Sequence, residues 1–141
     1  MSDPKIDTLE RVYAAFGRGD LDTILAALAD DVDWISVSEE PNPVVPWYGR
    51  YRGKGEVPRF FKEIDAAVEV TDFTPLSFTA NDSDVMVAIR WAFTVKSTGR
   101  RAVLHMQHWF RFIDATVTFV RTCEDTGKTA AAFSGARVSQ P

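Results

Sequence analysis

Residues 101–124 read RAVLHMQHWFRFIDATVTFVRTCE, and this stretch has the pattern of one long β-hairpin. Residues 103–113 form the first predicted arm, residues 116–124 form the second, and Asp114-Ala115 joins them. Successive side chains of a strand point to opposite faces. One face of the first arm therefore carries Leu104, Met106, His108, Phe110 and Phe112. The other face carries His105, Gln107, Trp109, Arg111 and Ile113.

A two-residue turn at Asp114-Ala115 fixes the predicted register of the two arms. The predicted cross-strand pairs are Phe112 with Val117, Phe110 with Phe119, and His108 with Arg121. His108 and Arg121 then form a polar pair in the middle of an apolar face, which is the best functional clue in the sequence. A histidine on an apolar face is more often a hydrogen-bonded core residue than a catalyst, so both interpretations stay open.

Composition and charge narrow the class of protein. A chain of 141 residues fits one domain over residues 1–141 that is long enough to bury a core. The net charge of −4 argues against nucleic acid or an anionic membrane as partner. The only cysteine, Cys123, excludes an internal disulfide and is compatible with a reducing compartment. No signal peptide or membrane span is predicted, so we expect a soluble cytoplasmic protein.

The first half of the chain is predicted to be mainly helical. Apolar residues at helical spacing predict helices over residues 4–17 and 21–29, separated by the corner Gly17-Arg18-Gly19. A strand over residues 32–37 follows, and then a proline-rich loop over residues 39–52. A third helix begins at Gly53.

The second half is predicted to be an antiparallel meander. Short turn signals separate strands over residues 69–78, 84–95, 102–113 and 116–124. A turn at Thr98-Gly99 pairs Trp91 with Met106, Phe93 with Leu104, and Ile89 with His108, and one apolar face then crosses all four strands. The opposite face would otherwise expose an apolar patch, which predicts a homodimer through Gln107, Trp109, Val120 and Thr122.

The order of these elements resembles the nuclear transport factor 2-like superfamily, and most of all its SnoaL-like branch. The resemblance covers nearly the whole chain. It rests on Gly19-Asp20-Leu21-Asp22 leading to Ala29-Asp30-Asp31-Val32, on the helix start from Tyr51-Arg52-Gly53 to Phe61, and on His108-Trp109-Phe110-Arg111-Phe112. The resemblance implies a cone-shaped α+β barrel, with three N-terminal helices packed on a curved antiparallel sheet and a pocket at the open end.

Known chemistries of the branch can be compared position by position. The ketosteroid isomerase tyrosine, base and protonated aspartate align with Val12, Ser36 and His108, which all differ from that set. The Asp-Arg-Asp set of the epoxide hydrolases lacks its second aspartate here. The cyclases place a histidine at about His108 and an acid on the next strand. Here Arg121 is predicted opposite His108, and Asp125 is the nearest inward acid.

These arguments give a set of candidate site residues. The predicted catalytic residues are His108 as general base or donor, Arg121 as an oxyanion stabiliser, and Asp125 as an acid that could equally cap a helix. The predicted ligand-binding residues are Trp34, Tyr48, Trp91, Met106, Phe110 and Phe119. Tyr48 is expected either in a lid or in a permanent closure of the barrel mouth. No cofactor is predicted, and no metal site, because His105 and His108 lie on opposite faces of one strand.

Two functions and one structural alternative follow from this set. The first function is a small cofactor-independent isomerase, cyclase or hydrolase acting on a hydrophobic carbonyl-containing or polycyclic molecule. The second is a binding domain of the same fold that holds such a molecule without changing it. The structural alternative is a dimer with a filled barrel and no continuous pocket beside His108.

Overall fold

The computed structural model describes residues 2–134, which form an α+β fold of four helices and six strands. The helices are α1 (Pro4–Gly17), α2 (Leu21–Ala26), α3 (Val57–Ala67) and α4 (Thr126–Phe133). The strands are β1 (Leu28–Ser36), β2 (Gly49–Arg52), β3 (Val68–Ala80), β4 (Asp84–Val95), β5 (Arg101–Ile113) and β6 (Thr116–Glu124). The predicted α+β class is confirmed, and the bounds of α1, β4 and β6 match the prediction. The expected domain also includes residues 1 and 135–141, which lie outside the described residues.

Aspartate side chains fix the starts of three helices. Asp3 accepts a hydrogen bond from the amide of Lys5, and Pro4 fills the first position of α1, where no backbone donor is needed. Asp20 caps α2 in the same way, and Asp125 caps α4. The helix predicted over residues 21–29 is too long, because the chain enters β1 at Leu28, where the backbone pairs with Val117 of β6.

The six strands form one curved sheet in the order β2-β1-β6-β5-β4-β3, with β2 and β3 at its open edges. Strands β3 to β6 form the predicted antiparallel meander. The predicted antiparallel sheet is wrong in one respect, because β1 lies parallel to β6 and the sheet is mixed. The loop predicted over residues 39–52 contains β2, and α3 begins at Val57 rather than at Gly53. A fourth helix, α4, follows the meander. No helix in the described part of the chain combines the length and apolar character needed to cross a membrane.

The pairing of β4 with β5 keeps the predicted faces but changes the predicted partners. Trp91 lies opposite Leu104, and Val87 lies opposite His108. The register is therefore displaced by two residues from the prediction, because the connection is longer than a two-residue turn at Thr98-Gly99 and β4 ends at Val95. An even displacement leaves every side chain on its predicted face.

The pairing of β5 with β6 differs more, because a β-bulge interrupts it. Phe112 lies opposite Val117 as predicted, but Arg111 then lies opposite Phe119 and leaves Thr118 unpaired. One extra residue on one strand reverses the faces of all residues beyond it. The predicted pairs Phe110 with Phe119 and His108 with Arg121 are therefore wrong. His108 lies opposite Thr122 instead.

The bulge decides which residues of β6 belong to the core. Val120 is buried on the inner face of the sheet, and Thr122 and Glu124 share that face. Phe119 and Arg121 lie on the outer face, so Val120 and Thr122 do not belong to the outer patch that was predicted to form a dimer. The inner face packs against α1 and α3 in a core rich in aromatic residues.

Candidate active site

A cavity of about 70 Å³ lies between the inner face of the sheet and the helices α1 and α3. Its wall is mostly aliphatic and aromatic. Four of the predicted ligand-binding residues lie in this wall: Trp34, Trp91, Met106 and Phe110. The polar side chains in the wall are those of Tyr13, Ser36, His108, Thr122 and Glu124. A mostly apolar cavity with a few convergent polar groups is typical of small-molecule sites.

Tyr13 and His108 form a hydrogen-bonded pair in the cavity. Tyr13 lies on the same face of α1 as Leu9 and Phe16, one helical turn from each, and this face points towards the sheet. Its hydroxyl oxygen is 2.8 Å from Nδ1 of His108, and the two rings stack with centroids 5.9 Å apart. The other ring nitrogen, Nε2, makes no hydrogen bond with any of residues 2–134.

Burial keeps both members of this pair neutral near neutral pH. Desolvation lowers the pKa of His108 from its ordinary value near 6.5 to about 3. Desolvation also raises the pKa of Tyr13 well above its ordinary value. The lowered histidine pKa agrees with the sequence prediction, but the guanidinium expected to contribute is absent from the cavity. Since the tyrosine keeps its proton, its hydroxyl can donate to Nδ1, which leaves the ring proton on Nε2.

Glu124 places a carboxyl group in the same cavity. Its Oε2 accepts hydrogen bonds from the hydroxyl of Tyr48 and, at 2.7 Å, from Oγ1 of Thr129 in α4. Burial raises the pKa of this carboxyl above its usual range, although the two hydroxyl donors oppose the shift. Oε1 accepts no hydrogen bond from any described residue. Glu124 thus has one oxygen held by the protein and one available to a ligand.

Two indole N–H groups add unpaired donors to the cavity wall. Nε1 of Trp34 and Nε1 of Trp91 are buried and have no partner among the residues that the structure describes. Nearly all buried polar groups in folded proteins are paired, so these two donors are unusual. The Trp91 N–H lies near the Glu124 carboxyl, favours its charged form and so lowers its pKa, although no hydrogen bond joins the two.

Four of the predicted site residues do not line the cavity: Tyr48, Phe119, Arg121 and Asp125. Arg121 lies on the outer face, where its guanidinium binds Asp33 at 2.9 Å and covers the Phe119 ring at 3.9 Å. The bulge has turned both Arg121 and Phe119 away from His108. Asp125 is exposed and caps α4 by accepting a hydrogen bond from the amide of Lys128 at 3.1 Å. The predicted alternative, a helix cap, is the correct one for Asp125.

The proline-rich loop before β2 closes one end of the core. Trp47 and Tyr48 are 2% and 5% exposed, so both side chains belong to the packed interior. Trp47 lies in the cavity wall, and its backbone carbonyl accepts a hydrogen bond from the hydroxyl of Tyr51 at 2.9 Å. Tyr48 contacts the cavity through Glu124. This arrangement matches the permanent closure that the sequence left as one of two possibilities.

No metal site is present among residues 2–134, where no three His, Cys, Asp or Glu side chains cluster closely enough to hold an ion. The functional groups of the cavity are therefore a neutral Tyr-His pair, one carboxyl group and several uncharged donors. These groups can hold a carbonyl oxygen and exchange a proton with a ligand.

Sequence comparison assigns the chain to a family. The model of the SnoaL-like domain matches residues 9–120. This chain belongs to the SnoaL-like domain family. No curated relative matches it.

Solved structures of NTF2-like proteins share this SnoaL-like fold. A protein of unknown function from Burkholderia pseudomallei K96243 is similar over 95% of this chain and 100% of its own, with 26% identity and a TM-score of 0.86. TerC, crystallised with polyporic acid, is similar over 93% of this chain and 98% of its own, with 22% identity and a TM-score of 0.81. A Xanthomonas campestris pv. campestris protein provisionally described as a polyketide cyclase is similar over 93% and 97%, with 23% identity and a TM-score of 0.73. At these identities, the last two show the fold alone.

The SnoaL-like cavity also contains two polar residues, Tyr13 and Glu124, that are missing from the predicted site. Tyr13 lies at helical spacing from Leu9 and Phe16, where an aliphatic residue would pack equally well, so a tyrosine there is a signal for a buried hydroxyl with a partner. Glu124 is the last residue of the predicted strand over residues 116–124. The adjacent apolar pair Phe119-Val120 breaks the alternation of β6 and marks the bulge that turns Glu124 inward.

Proposed function

We propose that this SnoaL-like protein is a cofactor-independent enzyme that transfers a proton at a carbon atom next to a carbonyl group of a hydrophobic small molecule. The observation that carries the proposal is the presence, in one apolar cavity, of a neutral Tyr-His pair and a carboxyl group with a raised pKa. Titratable groups whose pKa values are perturbed by burial in a cavity are typical of acid–base sites.

Glu124 is the proposed base. A carboxylate with an ordinary pKa is a weak base, and burial that raises its pKa strengthens it towards carbon acids. Tyr48 and Thr129 hold Oε2, so Oε1 is the oxygen that takes the proton. Glu124 replaces both Asp125 and Arg121 of the sequence hypothesis, and it restores the histidine-plus-acid pattern that the cyclase resemblance implied.

His108 is the proposed hydrogen-bond donor to the carbonyl oxygen. With Tyr13 donating to Nδ1, the Nε2 proton is free to bind the oxygen on which negative charge develops. A pKa of about 3 makes the imidazole a poor base but leaves it a neutral donor at neutral pH. His108 and Glu124 are diagonal neighbours on paired strands, roughly 7–8 Å apart between backbones, so both side chains face the same cavity and can contact one substrate.

The proposed reaction balances within the protein and its substrate. The C–H bond next to the carbonyl breaks, its proton passes to Oε1 of Glu124, and its electron pair forms an enolate held by His108. Return of the proton to another carbon gives an isomerisation. Attack of the enolate carbon on a second carbonyl of the same molecule gives ring closure, and the new alkoxide then takes the proton back from Glu124.

Deuterium exchange tests this proposal without knowledge of the natural substrate. Uncharged cyclic ketones, such as 2-indanone and 2-tetralone, are incubated with the protein in D₂O, and loss of the α-proton signal is followed by NMR. We expect the wild type to accelerate exchange and Glu124→Gln to lose about 10²-fold or more of that acceleration. Glu40→Gln is the matched control, since it makes the same change at an exposed carboxylate of the proline-rich loop, outside the cavity, and should keep the wild-type rate.

The alternative function, a binding domain without catalysis, predicts a different result in this experiment. A ketone that shifts the indole N–H signals of Trp34 and Trp91 but exchanges no faster than in buffer would support binding without catalysis. Equal acceleration by the wild type and Glu124→Gln would remove the carboxylate from the mechanism.

A homodimer is the proposed assembly. The outer face of the sheet carries half-buried Trp109 and, with 45% of its surface exposed, Met86 on the neighbouring strand. Gln107 lies on the same face. A second copy covering this patch would remove the exposed apolar surface from water.

A further inference from the structure

The catalytic cavity shares a wall with a second, larger space. This outer groove, of about 870 Å³, lies between the corner that joins α1 to α2, the end of α3, and the first half of the edge strand β3. Six side chains line both spaces and form what we call the aromatic partition: Tyr13, Phe16, Ile24, Phe61, Ile64 and Phe73.

The aromatic partition consists of side chains that can move without breaking backbone hydrogen bonds. The ring of Phe16 lies 4.8 Å from that of Phe73 and 5.9 Å from that of Phe61, measured between centroids. All three rings are half-buried, so one side of each lacks tight neighbours. Rotamer changes of such side chains are fast compared with typical turnover. A change at these rings would join the two spaces into one.

The inner cavity alone is too small to hold a substrate that contains a ring system. An apolar cavity of about 150 Å³ binds benzene, so about 70 Å³ accommodates the carbonyl end of a substrate but not a whole ring system. We propose that the outer groove is a second binding compartment, which holds the polar part of the same substrate while its hydrophobic carbonyl-bearing part passes through the aromatic partition. This inference depends on the proposed function in one respect: the proposed function identifies the group that reaches Glu124 as a carbonyl.

The charges of the groove indicate the chemistry of the part that stays outside. Asp65, Glu69 and Asp72 line the groove together with a single cation, Lys96. Asp72 is paired with Arg90 at 2.7 Å, whereas Asp65 and Glu69 have no ion pair within residues 2–134. The hydroxyl groups of Thr71 and Thr94 add uncharged hydrogen-bonding groups. An excess of carboxylates disfavours an anionic ligand, so the occupant is an uncharged polar or cationic group.

Two fluorescent probes that differ in one charge test the compartment. N-phenyl-1-naphthylamine is uncharged, and 8-anilinonaphthalene-1-sulfonate adds a sulfonate to the same ring system. We expect the uncharged probe to bind the wild type more tightly. Asp65→Asn/Glu69→Gln should strengthen sulfonate binding by about three- to tenfold and change binding of the uncharged probe by less than twofold. Glu39→Gln/Glu40→Gln, on the proline-rich loop outside the groove, should change neither. Equal responses of both charge variants would overturn the charge argument.

The route through the aromatic partition has its own readout. In an NMR titration with the uncharged probe, we expect shifts of the Trp34 and Trp91 indole signals in the inner cavity and of the amides of residues 69–73 in the groove. The Trp109 indole, on the outer face of the sheet, should stay unchanged. Phe61→Leu should speed probe association severalfold by opening the partition, and the milder Ile64→Val provides a second variant if Phe61→Leu unfolds.

Each outcome of the titration decides the inference separately from the enzyme proposal. Shifts at both sets of signals support a joint compartment even if no ketone exchanges its protons. Shifts at the groove alone would show that the partition does not open, and shifts at the indoles alone would place the entrance elsewhere. Either of these two results overturns the inference, whatever the exchange experiment shows.

Discussion

Replacing His108 by glutamine should remove a specific dependence of stability on pH. The pKa of His108 is about 3 in the folded protein and near 6.5 when the chain is unfolded, so the unfolded state takes up a proton at higher pH than the folded state. The stability that this group contributes is complete above pH 6.5 and is lost as the pH falls towards 3. The loss approaches about 1.4 kcal/mol per pH unit, or about 3 kcal/mol between pH 7.5 and pH 4.5.

Urea unfolding of the wild type and of His108→Gln at pH 7.5 and pH 4.5 measures this contribution to stability. Carboxyl groups titrate in both proteins, so the useful quantity is the change in the stability difference between wild type and His108→Gln. We expect that difference to shift by about 3 kcal/mol in favour of the variant on acidification. His105→Gln, on the exposed face of the same strand, is the matched control and should follow the wild type. A shift below about 0.5 kcal/mol for His108→Gln would refute the desolvation argument.

Three further predictions concern the surroundings of the cavity and the outer face. Tyr13→Phe should keep the stacked ring but release Nδ1 of His108, so ¹⁵N NMR should detect a mixture of ring tautomers, and ketone exchange should slow about tenfold while probe binding persists. Arg121→Met should lower the free energy of unfolding by about 1 kcal/mol through loss of the Asp33 pair, with no effect on exchange. Trp109→Ser should convert a dimer to a monomer in analytical ultracentrifugation, and a monomeric wild type at micromolar concentration would contradict the assembly.

The sequence predicted the elements well because their signals are local. Helical spacing located α1, and the turn at Asp114-Ala115 located the end of β5 and the start of β6. His108 lies on its predicted face of the sheet although the predicted β4–β5 register is wrong by two residues, because an even displacement preserves the faces. The predicted α+β class rests on these local patterns.

The candidate site was harder to predict because it depends on one bulge. A bulge is a property of a strand pair, and the sequence marks it only by the adjacent apolar residues Phe119 and Val120. Because of this single extra residue, Glu124 lies in the cavity and Arg121, which was predicted there, lies on the outer face. Two hydroxyl groups tune Glu124. That of Tyr48 is 76 residues away in sequence, so no local pattern could predict the contact, whereas that of Thr129 is five residues away and depends on the formation of α4.

The pH dependence of ketone exchange is the most direct test of the central claim that Glu124 is the base and His108 a neutral donor. The profile of kcat/KM reports the pKa values of the free enzyme. We predict one ascending limb whose apparent pKa lies above the ordinary value of 4.5 for a glutamate, and a further rise of this pKa in Tyr48→Phe, because the tyrosine hydroxyl stabilises the carboxylate. A limb centred near pH 6.5 that disappears in His108→Gln would instead identify the histidine as the base and contradict the account.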